Sequence, residues 1–264
     1  MTPILLLGAG RMGGAMIEGW KRTGAFDAAA LIIREPQTNP AVLEAQRGGA
    51  RLNPADEVLA EARTVLMALK PQTWRAATAD VANRLHPDAI IVSIAAGVPI
   101  KDLAEVFAGH KVARVMPTTA VAIAKGVASI FAGDPAARAR AHALFDRVAT
   151  AVDLEDESLI DAATAVSGSA PAYWYALIEA LEAAGEAQGL PSEAARALVR
   201  ATMISAGALL EHTGEEPAEL RRQVTSPGGT TQAALDVLNA EQGFPRLAAD
   251  AVAAAVRRAR ELAG

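Results

Sequence analysis

Three glycines, Gly8, Gly10 and Gly13, stand at G-x-G-x-x-G spacing directly after the apolar run Ile4-Leu5-Leu6-Leu7. At such a junction the first glycine makes a tight turn and the second lets a pyrophosphate approach the backbone. The third lets the next helix pack close to the strand. That helix presents free N–H groups and a positive dipole end to the phosphates. A helical pattern does follow, with Met12, Met16, Ile17 and Trp20 at i, i+4, i+5 and i+8. The turn Gly8, Ala9, Gly10, Arg11, Met12, Gly13 is therefore a candidate dinucleotide site, although a plain strand-turn-helix corner shares the spacing. Glu35 lies 22 residues past Gly13, where this arrangement places the acid that holds the adenine ribose hydroxyls. Its neighbour Arg34 is of the type that accommodates a 2′-phosphate, so the two pull cofactor choice in opposite directions. With Pro36 they also read as ordinary loop charges.

A second chemical stretch is Ser226-Pro227-Gly228-Gly229-Thr230-Thr231. Two glycines and two threonines open a helix there. Successive N–H groups make a carboxylate site. A threonine hydroxyl both donates and accepts, so it could reach a substrate heteroatom. The same residues also read as a well-capped helix with Thr230 as the cap. His86, His110, His142 and His212 are scattered and read as surface residues. Lys70 reads either as a cation beside a cofactor ring or as a solvated strand-end charge.

The elements that must position these groups alternate at first. Strands are expected at Ile4–Leu7, Ala29–Ile33, Thr64–Leu69, Ala89–Ile94, Val112–Met116, Gly126–Phe131 and Ala151–Leu154. Helices are expected between them, among them Val42–Gln46, Pro54–Ala60 with Asn53 as N-cap, Pro71 to about Leu85, and Ala136–Ala149. Alternation of this kind implies right-handed crossovers and a parallel sheet, with ligands outside the carboxyl ends of the strands. That rule gathers Gly8–Gly13, Arg34–Pro36, Ala68–Pro71 (Ala68, Leu69, Lys70, Pro71), Ser93–Gly97 (Ser93, Ile94 and Ala95 foremost) and Met116–Thr119. From Asp156 on no strand is expected, only helices at Glu157–Val166, Ala170–Gln188, Ser192–His212, Ala218–Val224, Thr230–Asn239 and Phe244–Leu262. The boundary is placed between 155 and 156. The overall expectation is an α/β fold. Residues 1–155 form a Rossmann-type, doubly wound, mainly parallel sheet, and residues 156–264 an all-α domain for dimerisation. The helix from Ser192 has a wide apolar surface, which favours a symmetric pair of chains.

Composition removes other classes. Apolar residues make up 52% of the 264, enough for a sizeable core, and aromatics only 4%. The net charge of −5 comes with no basic block, so neither nucleic acid nor an anionic membrane is expected as partner. There is no cysteine, which removes disulfides, Cys-ligated zinc and thiol nucleophiles. No metal is expected. Met1 leads straight into the first strand, which predicts no signal peptide and a cytoplasmic protein.

Val224–Leu235 closely resembles the signature of the Δ1-pyrroline-5-carboxylate reductase family. Other family landmarks follow in order: Gly8–Gly13, Ala68-Leu69-Lys70-Pro71, Val92-Ser93-Ile94-Ala95-Ala96-Gly97, Arg114-Val115-Met116-Pro117 and Val166-Ser167-Gly168-Ser169-Ala170-Pro171-Ala172-Tyr173. The resemblance covers nearly the whole chain. It implies hydride transfer from NADPH or NADH to C5 of a cyclic imine carboxylate, giving L-proline, the last step of proline synthesis. It also implies a homodimer interlocked through the helical domain, with dimers assembling into decamers. By the same resemblance the substrate carboxylate sits on Gly228, Gly229 and Thr230. Thr231 bonds the ring nitrogen, Glu157 lies by the substrate, and Lys70 stands near the nicotinamide. Ala68–Pro71 and Ser93–Ala95 line the cofactor.

Three departures bear on this. The family's Met-Pro-Asn-Thr-Pro is here Met116-Pro117-Thr118-Thr119-Ala120, so an amide is lost from the pocket wall. Glu35 replaces the small or neutral residue of NADPH-preferring relatives, and Asp56 stands where the family often has asparagine. Two carboxylates facing a 2′-phosphate predict that NADH is used at least as well as NADPH. A β-hydroxyacid dehydrogenase would need a lysine in the second domain, and none follows Asp156. A reductase of a related ring, or a nucleotide sensor without activity, would share the first domain. A sensor has no need of Gly228–Thr231.

Overall fold

In the computed structural model, which describes residues 1–263, the first strand β1 (Ile4–Leu7) is wholly buried. Its alternation explains why. Ile4 and Leu6 face one apolar layer with Met16, Ile17, Trp20 and Phe145, while Leu5 and Leu7 face another with Met67, Trp74, Leu103 and Phe107. A strand covered on both sides reads as a continuous apolar run. The helices that supply the layers are α1 (Arg11–Thr23), α2 (Pro40–Arg47) and α5 (Pro135–Phe145) on one side, and α3 (Trp74–Ala82) and α4 (Ile100–Val106) on the other. Trp20 anchors α1 by donating its indole N–H to the Leu144 carbonyl at 2.8 Å.

The remaining strands are β2 (Leu31–Arg34), β3 (Arg51–Leu52), β4 (Thr64–Met67), β5 (Ile90–Ser93), β6 (Lys111–Pro117), β7 (Gly126–Phe131) and β8 (Ala149–Asp153). They form one sheet in the order β3-β2-β1-β4-β5-β6-β7-β8. Every neighbouring pair is parallel except β6 and β7. That exception accords with the mainly parallel sheet expected from the sequence. Only residues 118–125 join β6 to β7, and they form a short 3-10 turn, Thr119–Ile123. A parallel crossover needs a dozen or more residues.

Some local expectations are corrected. The α-helix expected over Pro54–Ala60 is a 3-10 helix at Asp56–Glu61, preceded by the unexpected two-residue β3. Asn53 is no N-cap. It sits at φ 44, and its amide brackets the Glu35 backbone, accepting from the N–H at 3.0 Å and donating to the carbonyl at 2.9 Å. The helix expected at Glu157–Val166 is α6 (Leu159–Ala163) followed by a π turn, Thr164–Gly168. Thr164 and Ser167 there turn their hydroxyls back onto the carbonyls of Ile160 and Ala163, a bond that loosens regular helix. His142 lies partly exposed at the surface, as expected, with its ring bonded to both Asp146 and Asp153.

The chain divides into two compact units. One holds Met1–Gly168 with the chain from Ala255 on, the other Ser169–Ala254. The second contains α7 (Ala170–Ala187), α8 (Ser192–Thr213), α9 (Pro217–Gln223), α10 (Thr230–Leu238) and the first part of α11 (Phe244–Ala263). Ala195 is its one buried side chain among the described residues, while Trp174, Tyr175, Leu198, Ile204, Val237 and Leu247 are exposed. No helix among the described residues is long and apolar enough to cross a membrane.

Candidate functional site

Strand order locates the first site. The chain runs from β1 outward to β2 and β3, then returns to the other side of β1 with β4 and β5. The carboxyl ends of β1 and β4 therefore flank a topological switch point, where open α/β sheets bind ligands. Gly8 follows β1 at φ +84, and a Cβ on it would stand 2.8 Å from the Ala68 carbonyl oxygen just past β4. A Cβ on Gly13 would stand 2.3 Å from the Gly8 carbonyl oxygen, so α1 can start only if residue 13 has no side chain. A Cβ on Gly10 would meet nothing within 4 Å. The turn is thus closed against protein at its first and third glycines and open at its second. Gly10 is the helix's N-cap and no side chain bonds its first N–H groups. This shape fits a pyrophosphate, with Gly8, Ala9, Gly10, Arg11, Met12 and Gly13 as the cradle.

Neighbouring strands bring the other expected residues to the same edge. The Gly8 N–H donates to the Arg34 carbonyl at 2.9 Å, tying the turn to the end of β2. Ala68 N–H donates to Leu7 and Ile94 N–H to Met67, so the loops Ala68–Pro71 and Ser93–Gly97 follow in sequence across the sheet. Lys70 is exposed at the end of β4, with Leu69 and Pro71 half-buried beside it. Ser93, Ile94 and Ala95 are buried, and the Ser93 hydroxyl accepts from the Ala95 N–H at 3.3 Å.

Glu35 is buried and already bonded. Its Oε2 accepts from the Ala9 N–H at 2.7 Å and its Oε1 from the Gln37 N–H at 2.8 Å. Arg34 is not free: its guanidinium meets Asp56 at 2.6 Å, and Asp56 has a second cation, Arg84, at 3.4 Å. Asp56 is thus neutralised by two arginines, and Glu35 is the net negative group next to Pro36. Sequence reasoning missed Asn39, whose amide donates to the Ala9 carbonyl at 2.6 Å while its oxygen caps α2. Asn39-Pro40 before a helical run is the cap signal that could have found it.

Glu157 carries one contact pair that spacing could not reveal. Its Oε1 accepts from the buried Arg114 guanidinium and from the Ile100 N–H, each at 2.7 Å. Thr118 is buried, and its hydroxyl accepts from the Val127 N–H at 3.0 Å. The family's amide position is therefore occupied here by a group that holds the β6–β7 connection.

In the second unit, Gly228 has φ +68 and Gly229 is the N-cap of α10. Thr230 is the helix's first residue, not its cap, and no side chain caps the helix. The first N–H groups of α10 are therefore left to a ligand or solvent. Gly228 and Thr230 are exposed, Gly229 and Thr231 half-buried. A bend with bare amides and an adjacent hydroxyl is suited to a carboxylate next to a heteroatom.

Comparison with known proteins agrees with this geometry. Residues 3–97 match the family described as NADP oxidoreductase, coenzyme F420-dependent. With the switch-point cradle, that makes the chain a dinucleotide-dependent oxidoreductase. Residues 157–262 match the family described as pyrroline-5-carboxylate reductase dimerisation. The chain is 38% identical to the pyrroline-5-carboxylate reductase of Pseudomonas aeruginosa, over 99% of this chain and 97% of that protein. It is 34% identical to that of Synechocystis, over 97% of each. The solved pyrroline-5-carboxylate reductase of Coxiella burnetii superposes with a TM-score of 0.90 at 27% identity, covering 99% of this chain and 98% of that one. The chain belongs to the pyrroline-5-carboxylate reductase family.

Proposed function

We propose that this protein reduces 1-pyrroline-5-carboxylate to L-proline with NADH or NADPH, the closing step of proline synthesis. The observation that carries the reading is the switch-point cradle, open only at Gly10, in a chain that matches its relatives end to end. In this reading residues 1–155 carry the nucleotide, and residues 156–264 carry the substrate and the dimer contacts. Gly8–Gly13 hold the pyrophosphate. Arg34, Glu35, Pro36 and Asp56 face the adenine ribose, and Ala68–Pro71 with Ser93–Ala95 line the nicotinamide half.

A reduced nicotinamide held there would supply the hydride that turns the protonated ring imine, at C5, into a neutral secondary amine, the nucleotide itself being left oxidised. The chain's own work is orientation and electrostatics. The amides of Gly228, Gly229 and Thr230 fix the carboxylate, and the Thr231 hydroxyl accepts from the ring N–H. Lys70 stands near the nicotinamide as the nearby cation. Glu157 has Oε1 committed to Arg114 and Ile100, which leaves Oε2 for the substrate. No histidine is required, because the electrophile is already protonated.

The seat of the ribose supports use of NADH at least as well as NADPH. Glu35 fills the two backbone N–H groups there with negative charge, and Arg34 is spent on Asp56. The exposed apolar helices of Ser169–Ala254 support a homodimer; assembly of dimers into a decamer and a cytoplasmic location belong to the same proposal. The test is oxidation of NADH or NADPH followed by absorbance with pyrroline-5-carboxylate as acceptor. Turnover with proline as product is expected, and nucleotide binding without turnover would defeat the reading.

A further inference from the structure

Glu157 lies just beyond β8, on the chain leaving the sheet, yet its carboxylate reaches back to two distant places. Arg114, on β6, has a side chain only 8% exposed, and Glu157 is its ion-pair partner. Arg114 is the register partner of Ser93 across the β5–β6 pair. Ile100 is the first residue of α4, directly after the turn that passes through Gly97 at φ +69. One carboxylate oxygen therefore holds both flanks of the Ser93–Pro99 segment, its strand neighbour at the start and its helix at the end. A buried arginine without its partner is strongly unfavourable, so the strand neighbour of Ser93 must rearrange when Glu157 is lost. An amide N–H at a helix start loses its acceptor at the same moment.

We infer that Glu157 is a positioning residue for the Ser93–Ala95 loop, and that through Arg114 and Ile100 it sets the affinity for the nicotinamide nucleotide before any imine is bound. The inference rests on the reading that this loop lines the nucleotide. It differs from direct contact with the substrate, because it places the effect on a ligand that binds without the imine. Arg114 must then act with Glu157 as a unit, and loss of either must disturb the same loop.

The experiment is titration of the full-length protein with NADH alone, followed by nucleotide fluorescence, together with KM for the imine and thermal midpoints. Glu157→Ala and Arg114→Met are each expected to weaken NADH binding about tenfold, the scale of one lost charge-assisted hydrogen bond. Glu157→Gln keeps a carbonyl oxygen for both donors and is expected to stay within about threefold of wild type, since neutral hydrogen bonds are the weaker kind. The double variant Arg114→Met/Glu157→Leu is expected to be no weaker than either single change, because partners in one contact couple. Unchanged NADH affinity in Glu157→Ala, with only the imine KM raised or only the thermal midpoint lowered, overturns the inference and leaves the proposed function standing. Failure of the wild-type protein to bind NADH or NADPH overturns both.

Discussion

Replacing Glu35 by serine tests how the proposed ribose seat chooses its cofactor. In the wild-type protein the Glu35 carboxylate accepts from Ala9 and Gln37, so any 2′-phosphate must displace it or lie against it. A like-charge contact of that kind costs on the order of a few kcal/mol. Serine removes the charge and frees two backbone N–H groups, each worth about 1.5–3 kcal/mol to a charged acceptor when well aligned. Part of that gain is lost because the freed Gln37 N–H, at an exposed residue, is hydrated in the apoprotein. A net of about 3 kcal/mol corresponds to roughly a hundredfold rise in the NADPH-to-NADH ratio of kcat/KM. The variant should also be less stable by about 1–2 kcal/mol without nucleotide, since the Ala9 N–H is buried and loses its partner. Steady-state kinetics with each cofactor at saturating imine, beside urea melts, measure both quantities. A wild-type preference for NADPH of tenfold or more, or a ratio unmoved by the substitution, would refute the reasoning.

Gly13→Ala places a Cβ 2.3 Å from the Gly8 carbonyl oxygen, which forces α1 off the turn. It should cost about 1–3 kcal/mol by overpacking, and nucleotide binding should fall more than imine binding in separate titrations. Thr231→Val keeps the shape of the side chain but removes its hydroxyl. A fall in kcat/KM of about tenfold is expected with NADH affinity unchanged, and equal activity would remove Thr231 from the site. His142 sits between Asp146 and Asp153, and their carboxylates raise its pKa above the ordinary value near 6.5. Its contribution is complete below the unfolded value and is lost as pH rises through the higher folded value. The thermal midpoint of wild type relative to His142→Ala should therefore shrink by about 1–3 °C between pH 6 and pH 8, while a constant gap would contradict the pairing.

What could be read from the residues divides along a physical line. The buried strands were legible because a parallel strand covered on both faces is apolar along nearly its whole length, as in Ile4–Leu7 and residues 65–67. The glycine turn was legible because its spacing is local and Gly13 answers the Gly8 carbonyl five residues earlier, although the contact that Gly8 itself answers is with Ala68, far along the chain. Features made by distant partners were not. Asn53 looked like a helix cap because that role depends on its neighbours, yet its amide is committed to Glu35, 18 residues earlier. Arg34 and Glu35 looked like opposing votes on cofactor choice, with Asp56 counted alongside Glu35, until the 2.6 Å separation of Arg34 from Asp56 made those two one neutral pair. Glu157 was placed by resemblance alone, and nothing in its flanks announced Arg114, 43 residues earlier. The helical unit shows the same limit from another side. Its periodicity marked apolar faces on α8 without saying what covers them. With Ala195 alone buried among its described residues, this unit lacks a core of its own. A set of helices in that state gains its burial from another chain, so the parts of the protein proposed to hold substrate owe their stability to the assembly that the dimerisation family describes.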